Sequence, residues 1–314
     1  MRAAPAPGNP LVGPLCAVIG VLGFSFKAIL IKLAYAWAPV DAITLLALRM
    51  LYSAPLFALM AWWASRNRAA RNAPAMERRD WFSILWLGFI GYYLASLVDF
   101  MGLQYVTASL ERLMLYLYPT LVVVLSAALF KQRITGRIAL ALALSYAGIM
   151  LVFGRDLSLA GDPHALWLGG GLVFAGAALY AVYLVAAGPV IARLGSLRFI
   201  AWGMLASTVF VFAQFVLTRP ASALAAPLRI QLLSFTMAIV STVLPTFLIA
   251  EAIKRIGANR TSLVGSLGPV FTIGLGWWLL AEPVHWIQLG GAALVLAGVT
   301  LVTLKPRPSA PRMA

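Results

Sequence analysis

Hydrophobic positions fall in ten long runs, and the runs are continuous, not alternating. They cover roughly residues 11–34, 41–63, 81–103, 107–130, 136–153, 165–187, 198–218, 230–252, 259–280 and 285–304. A helix needs about 20 apolar residues to cross a hydrocarbon core about 30 Å thick. Continuous apolar runs lack the two-residue alternation of membrane barrel strands. In lipid the backbone must satisfy its own hydrogen bonds, so each run predicts a spanning helix. The expected fold class is therefore all-α integral membrane, with ten transmembrane helices. The first run is too long for a signal peptide and has no clear cleavage site, so it reads as a retained helix.

Composition agrees with the pattern. The 314 residues are 62% hydrophobic and 11% charged, and the mean hydropathy is +0.93. A soluble domain of this size needs far less apolar content. The formal net charge of +15 invites a nucleic-acid partner, but its placement argues otherwise. Seventeen Lys and Arg lie in the tails and in the loops after the second, fourth, sixth and eighth spans. The opposite loops hold only three, Arg155, Arg219 and Arg229. Basic loops stay on the cytoplasmic side, so this split predicts both termini in the cytoplasm and no nucleic-acid role. Trp62, Trp63, Trp81, Trp167 and Trp286 read as interfacial anchors. Cys16 is the one cysteine and forms no intrachain disulfide.

The chain also repeats itself. A shift of 150 residues lays Ala108–Val152 over Ala258–Val302 without a gap. Leu and Ala matches are cheap in such a composition, but Pro119/Pro269 and Gly148/Gly298 fall in the same frame. Five spans per half invert the second half relative to the first. Inverted repeats are a transporter device, with a site near the midplane exposed to each side in turn. The expected units are residues 11–153 and 165–304, spans one to five and six to ten.

Particular residues carry a family resemblance. Gly257-Ala258-Asn259-Arg260, then Leu263 to Phe271, then Leu280-Ala281-Glu282-Pro283 resemble the second repeat of the EamA group in the drug/metabolite transporter superfamily. Tyr105 to Ser109 with Leu117-Tyr118-Pro119-Thr120 resemble the same motif in the first repeat. Gly23 to Phe26, Lys32 and Leu48-Arg49-Met50 fit the first two helices. The resemblance covers nearly the whole chain. It implies two inverted EamA repeats and movement of small metabolites, often efflux, and it extends to amino-acid exporters of the YddG type. One departure stands out. The family often has an acidic residue after both the fourth and ninth helices; Glu282 fills the second place, but Lys131-Gln132 occupies the first.

Charges inside spans cost about 2.5–3.5 kcal/mol at a helix centre, so each needs a reason. Lys27, Lys32, Arg49, Asp99, Glu111 and Arg112 fall in one outer half-membrane layer. Arg49 lies about 12 Å below the outer end of its span, eight residues at about 1.5 Å each. Lys27 and Arg49 are candidates to meet a substrate carboxylate or phosphate, the guanidinium fork matching two oxygens. The structural alternative pairs Arg49 with Asp99 or Glu111. Glu251 with Lys254 and Arg255 reads as a helix-surface pair. Tyr92, Tyr93, Tyr116, Tyr118, Tyr180, Tyr183 and Trp202 form an aromatic set suited to stacking on a cyclic substrate or to packing. The candidate substrate-binding set is thus Lys27, Arg49, Tyr92, Asp99, Glu111, Tyr116, Tyr180, Tyr183 and Trp202. Pro119 and Pro269 are the candidate hinges, and Pro55 and Pro245 have no repeat partner.

Enzyme signals are weak. His164 and His285 fall near outer span ends, no His/Cys cluster offers a metal site, and Gly169-Gly170-Gly171 lacks the remainder of a phosphate loop. The expectation is a secondary transporter of the bacterial inner membrane with no cofactor and no metal. Its partners are a small-molecule substrate and the lipid bilayer, with proton or solute counter-transport, as a monomer or a homodimer. Export of amino acids or related compounds is the first reading. Import of an anionic or nucleoside-like metabolite by the same fold is the alternative, beside a membrane enzyme or receptor.

Overall fold

The computed structural model describes residues 11–66, 75–131 and 134–303. Ten helices in it are long and apolar enough to span a membrane. They are α1 (Val12–Trp37), α2 (Ala42–Arg66), α3 (Arg78–Gly102), α4 (Ala108–Phe130), α5 (Gly136–Leu159), α6 (Pro163–Leu194), α7 (Ser196–Thr218), α8 (Leu228–Ile256), α9 (segments Ala258–Gly265 and Gly268–Leu280) and α10 (Trp286–Thr303). Each lies on one of the ten apolar runs, with ends shifted by a few residues. The largest shift is in α6, whose 32 residues span about 48 Å, more than a bilayer core, so it must tilt or project. Arg2, Arg68, Arg71, Gln132, Arg133, Lys305, Arg307 and Arg312 lie outside the described residues.

Helix ends follow local chemistry. Thr107 Oγ1 accepts from the Leu110 N–H at 3.1 Å and caps α4. Asp162 caps α6 through the N–H groups of His164 and Ala165, with Pro163 at the first helical position. Glu77 and Asp80 form a reciprocal capping box at the start of α3.

The 150-residue frame is visible in the backbone. The first segment of α4 ends at Leu115 and the first segment of α9 at Gly265. Each end falls four residues before a proline, Pro119 or Pro269, whose ring displaces the carbonyl at that spacing. Lys131 and Ala281, also 150 apart, close the two spans in left-handed conformations with φ of 52° and 54°. Wide π-helical turns occupy Gly88–Leu94 in α3 and Ile239–Val243 in α8, again in the same frame.

Packing obeys the same relation. α1 packs on α8 and α9 as α6 packs on α3 and α4, while α2/α7, α4/α9 and α5/α10 pair across the pseudo-twofold. No hydrophobic drive separates inside from outside in lipid, so close backbone approach supplies much of the attraction. α5 and α10 meet over Gly148 and Gly291: a methyl on either would run into the other's carbonyl oxygen. Gly298, equivalent to Gly148, lies against the Ala141 carbonyl, equivalent to Gly291. Ion pairs in equivalent loops close opposite ends with signs exchanged. Arg219 after α7 meets Asp41 before α2 at 3.1 Å. Arg193 at the end of α6 meets Glu77 before α3 at 2.6 Å.

Candidate functional site

The two broken spans meet at their breaks. From α4, the Arg112 guanidinium lies against Gly268 and the Tyr116 hydroxyl faces Gly265. Ser25 of α1 completes the junction, its hydroxyl 3.1 Å from the Gly268 carbonyl oxygen and 2.9 Å from that of Val21. A helix break frees backbone carbonyls and N–H groups, and irregular backbone at membrane depth is tolerated only inside protein or beside a polar cavity. The junction therefore marks the polar centre of the bundle.

Above it, α1 carries a column of polar anchors. Lys27 Nζ stands 2.6 Å from Asp99 Oδ2 and 3.2 Å from Glu111 Oε1. Lys32 donates to the Val106 carbonyl at 3.0 Å, and the Tyr35 hydroxyl to the Phe100 carbonyl at 2.8 Å. Asp99 is 3% exposed and Glu111 is fully buried, so both acids are removed from lipid and solvent.

Arg49 does not join either acid. Among the described residues it makes no salt bridge; its guanidinium carbon lies 4.8 Å from the centre of the Phe100 ring, and Nε has no hydrogen-bond partner. The pairing of Arg49 with Asp99 or Glu111 is therefore replaced by a cation–π contact, because Lys27 already occupies the acids. Arg112 likewise makes no salt bridge among the described residues, though it acts on Glu111 through space, and its buried Nε has no hydrogen-bond partner there.

Five of the aromatic residues form one ribbon. Tyr116 packs on Tyr118, Tyr118 on Tyr180 and Tyr180 on Tyr183, with ring centres 6.3, 5.3 and 5.5 Å apart. Tyr183 and Tyr92 share a hydroxyl hydrogen bond of 2.7 Å. Trp202 packs edge-on against Trp81, 4.9 Å between ring centres, and lies in the same apolar cluster as Tyr92, Tyr180 and Tyr183. Tyr93 turns to Phe89 and Phe210. The structure thus brings Lys27, Asp99 and Glu111 together, and separately gathers Tyr92, Tyr116, Tyr180 and Tyr183. Glu251 sits 2.6 Å from Arg255 and 3.8 Å from Lys254, as a helix-surface pair should.

One motif residue makes a contact that its sequence neighbourhood does not indicate. Glu282, beyond α9, reaches the start of α4: Oε1 accepts from the Ala108 N–H at 2.8 Å and Oε2 from the Ser109 hydroxyl at 2.9 Å. A carboxylate there satisfies free N–H groups at the positive end of a helix. The 150-residue equivalent, Gln132, lies outside the described residues.

Two inverted five-helix halves, with paired breaks flanking buried charges, define a multi-pass membrane transporter. The EamA-like transporter family model matches residues 11–154 and 167–304, and the chain belongs to that family. It is 31% identical over 308 residues to the uncharacterized transporter YcbK of Bacillus subtilis, covering 93% of this chain and 94% of that one. It is 27% identical to the uncharacterized transporter YetK of the same organism, over 76% of this chain and 72% of that one. A crystal structure 19% identical in sequence superposes with a TM-score of 0.59, covering 92% of this chain and 96% of the other, and shares the fold.

Proposed function

We propose that this transporter is a secondary carrier of the bacterial inner membrane, with both termini cytoplasmic, which exports amino acids or related small metabolites by alternating access. The observation that carries the reading is the meeting of the α4 and α9 breaks beside Arg112, Ser25 and the Lys27 cluster. Breaks in symmetry-related spans let each half hinge about the same level. Pro119 and Pro269 keep those breaks open, which makes them the hinges.

Lys27, Arg49, Asp99, Glu111 and the ribbon of Tyr92, Tyr116, Tyr180 and Tyr183 form the substrate-facing set. Arg49 and Arg112 offer a carboxylate two guanidinium groups that make no salt bridge among the described residues. The tyrosine ribbon offers ring faces and hydroxyls to a side chain. Trp202, held by Trp81, supports the wall behind the ribbon. The two arginines, outside the salt bridges of the described residues, also favour a second reading, uptake of an anionic metabolite through the same route.

Efflux of a labelled amino-acid mixture from proteoliposomes tests the first reading, with nucleoside monophosphates and dicarboxylates as competing loads. Retention of every load under outward, inward and pH gradients would reject both readings. Movement of the anionic loads alone would select the second.

A further inference from the structure

The cluster around Lys27 contains two acids and one base in direct contact. Both carboxylates converge on the same ammonium, Asp99 Oδ2 at 2.6 Å and Glu111 Oε1 at 3.2 Å from Lys27 Nζ. Yet Asp99 Oδ1 and Glu111 Oε2 are buried with no hydrogen-bond partner among the described residues, and Glu111 Oε1 meets only the Lys27 ammonium. Two ionised carboxylates have only acceptors to present to each other. Two carboxylates that converge on a single ammonium in a buried site resist being ionised together.

The other charged and titratable groups around the pair do not remove the conflict. Arg112 of α4 lies against Gly268, and Arg49 of α2 lies on the Phe100 ring; they act on Glu111 and Asp99 through space, but neither makes a salt bridge to the pair among the described residues. Tyr35 of α1 donates to a backbone carbonyl. α6 meets Asp99 with Gly176, which has nothing to titrate. Glu282, beyond α9, is taken up by the start of α4.

We propose that Asp99 and Glu111 together hold one proton, hydrogen-bonded between them, and that this proton is the coupling ion of transport. With the proton in place, the pair carries one negative charge, matched by the ammonium of Lys27. Lys27 rides on α1, whereas the acids ride on α3 and α4. A movement that withdraws α1 removes the ammonium and strengthens the hold on protons; its return releases one. The exchange is a proton moving between the carboxyl pair and water at the open side, with no other reactant. Coupling to flux rests on the transport reading above, but the proton site does not.

Infrared titration of the full chain in lipid tests the site without a substrate. At neutral pH the wild type should show one protonated buried carboxyl band that shifts in D2O. Glu111→Gln should lose it, since Lys27 and Asp99 then form a simple pair. Lys27→Met should roughly double it, because neither acid keeps a partner cation. Glu251→Gln, on the surface, should leave it alone. Absence of the band from the wild type, or its survival in both Glu111→Gln and Asp99→Asn, would overturn the site. Should Glu111→Gln fail to fold, Asp99→Asn and Lys27→Met still decide.

A pH-sensitive dye trapped in amino-acid-loaded vesicles reads the coupling. Solute exit with proton counter-movement, lost in Glu111→Gln, supports it, and exit with no proton movement overturns it. If nothing crosses, the transport reading falls and the infrared result alone decides the site.

Discussion

Glu282 and Ala108 are 174 residues apart, yet the carboxylate of one accepts the backbone N–H of the other at 2.8 Å. The contact ties the end of α9 to the start of α4 across the two repeats, at the end of the bundle that also holds Lys32 and Val106. It is a closing contact for that end. Its loss should raise access there by about fivefold, from about 1 kcal/mol of lost capping. In a Cys16→Ser background, Val106→Cys should react with a membrane-impermeant maleimide about fivefold faster when Glu282 is also changed to Ala. Equal rates would show that Glu282 does not hold this end shut.

Asp41 should add a modest, pH-dependent tie at the same end. Burial alone raises its carboxyl, but hydrogen bonds from Thr44 and Arg219 outweigh burial and hold it below the ordinary 3.8. A folded-state value below the unfolded one stabilises above the unfolded value, and the benefit fades as pH falls through the folded one. The side chain is 37% exposed, so screening limits the pair to about 0.5 kcal/mol. Asp41→Asn should unfold slightly earlier than wild type at neutral pH, and the gap should narrow as pH falls below 3.8. A gap that stays constant or widens with falling pH there would contradict the assignment.

The hydroxyl pair in the tyrosine ribbon is a stability element whatever else it touches. Tyr183→Phe leaves the Tyr92 hydroxyl without its 2.7 Å partner. An orphaned buried hydroxyl costs about 1–3 kcal/mol, or roughly 3 °C or more in the unfolding midpoint. Tyr105→Phe, at an exposed position, should not move it. Matching midpoints for the two variants would mean that water or another group replaces the bond.

Gly298 shows what the α5/α10 seam demands. A Cβ there would meet Ser145 Oγ and the Ala141 carbonyl, whereas one at Gly290 meets nothing. Gly298→Val should therefore lower stability in detergent by about 1–3 kcal/mol and reduce the folded yield, and Gly290→Val should do neither. Equal behaviour of the two variants would place the seam elsewhere.

The architecture was legible because lipid imposes long apolar runs and helix as the way to fill them. The repeat was legible from Pro119/Pro269 and Gly148/Gly298, whose chemistry composition alone does not duplicate. Even the breaks follow from the prolines once the four-residue reach of the ring is applied. Side-chain partners were less legible. Lys27, Arg49, Asp99 and Glu111 share a depth that sequence position gives, but contact depends on rotation about each helix axis. Helices surrounded by lipid have little amphipathic pattern to set that rotation, so sequence leaves Arg49 open to a substrate role or to pairing with either acid, and does not show that Lys27 makes the direct contacts. The edge-on contact of Trp202 with Trp81 is illegible for the same reason. Glu282 was visible as a motif residue, but its reach to another span's first turn has no local signature.

The central claim is a carrier that exposes one site to each side in turn, and exchange tests it most directly. Proteoliposomes preloaded with unlabelled amino acids should take up the labelled mixture several-fold faster than empty ones. Arg49→Ala should abolish that acceleration while inserting normally. Uptake indifferent to preloading, or unchanged in Arg49→Ala, would contradict alternating access through this site.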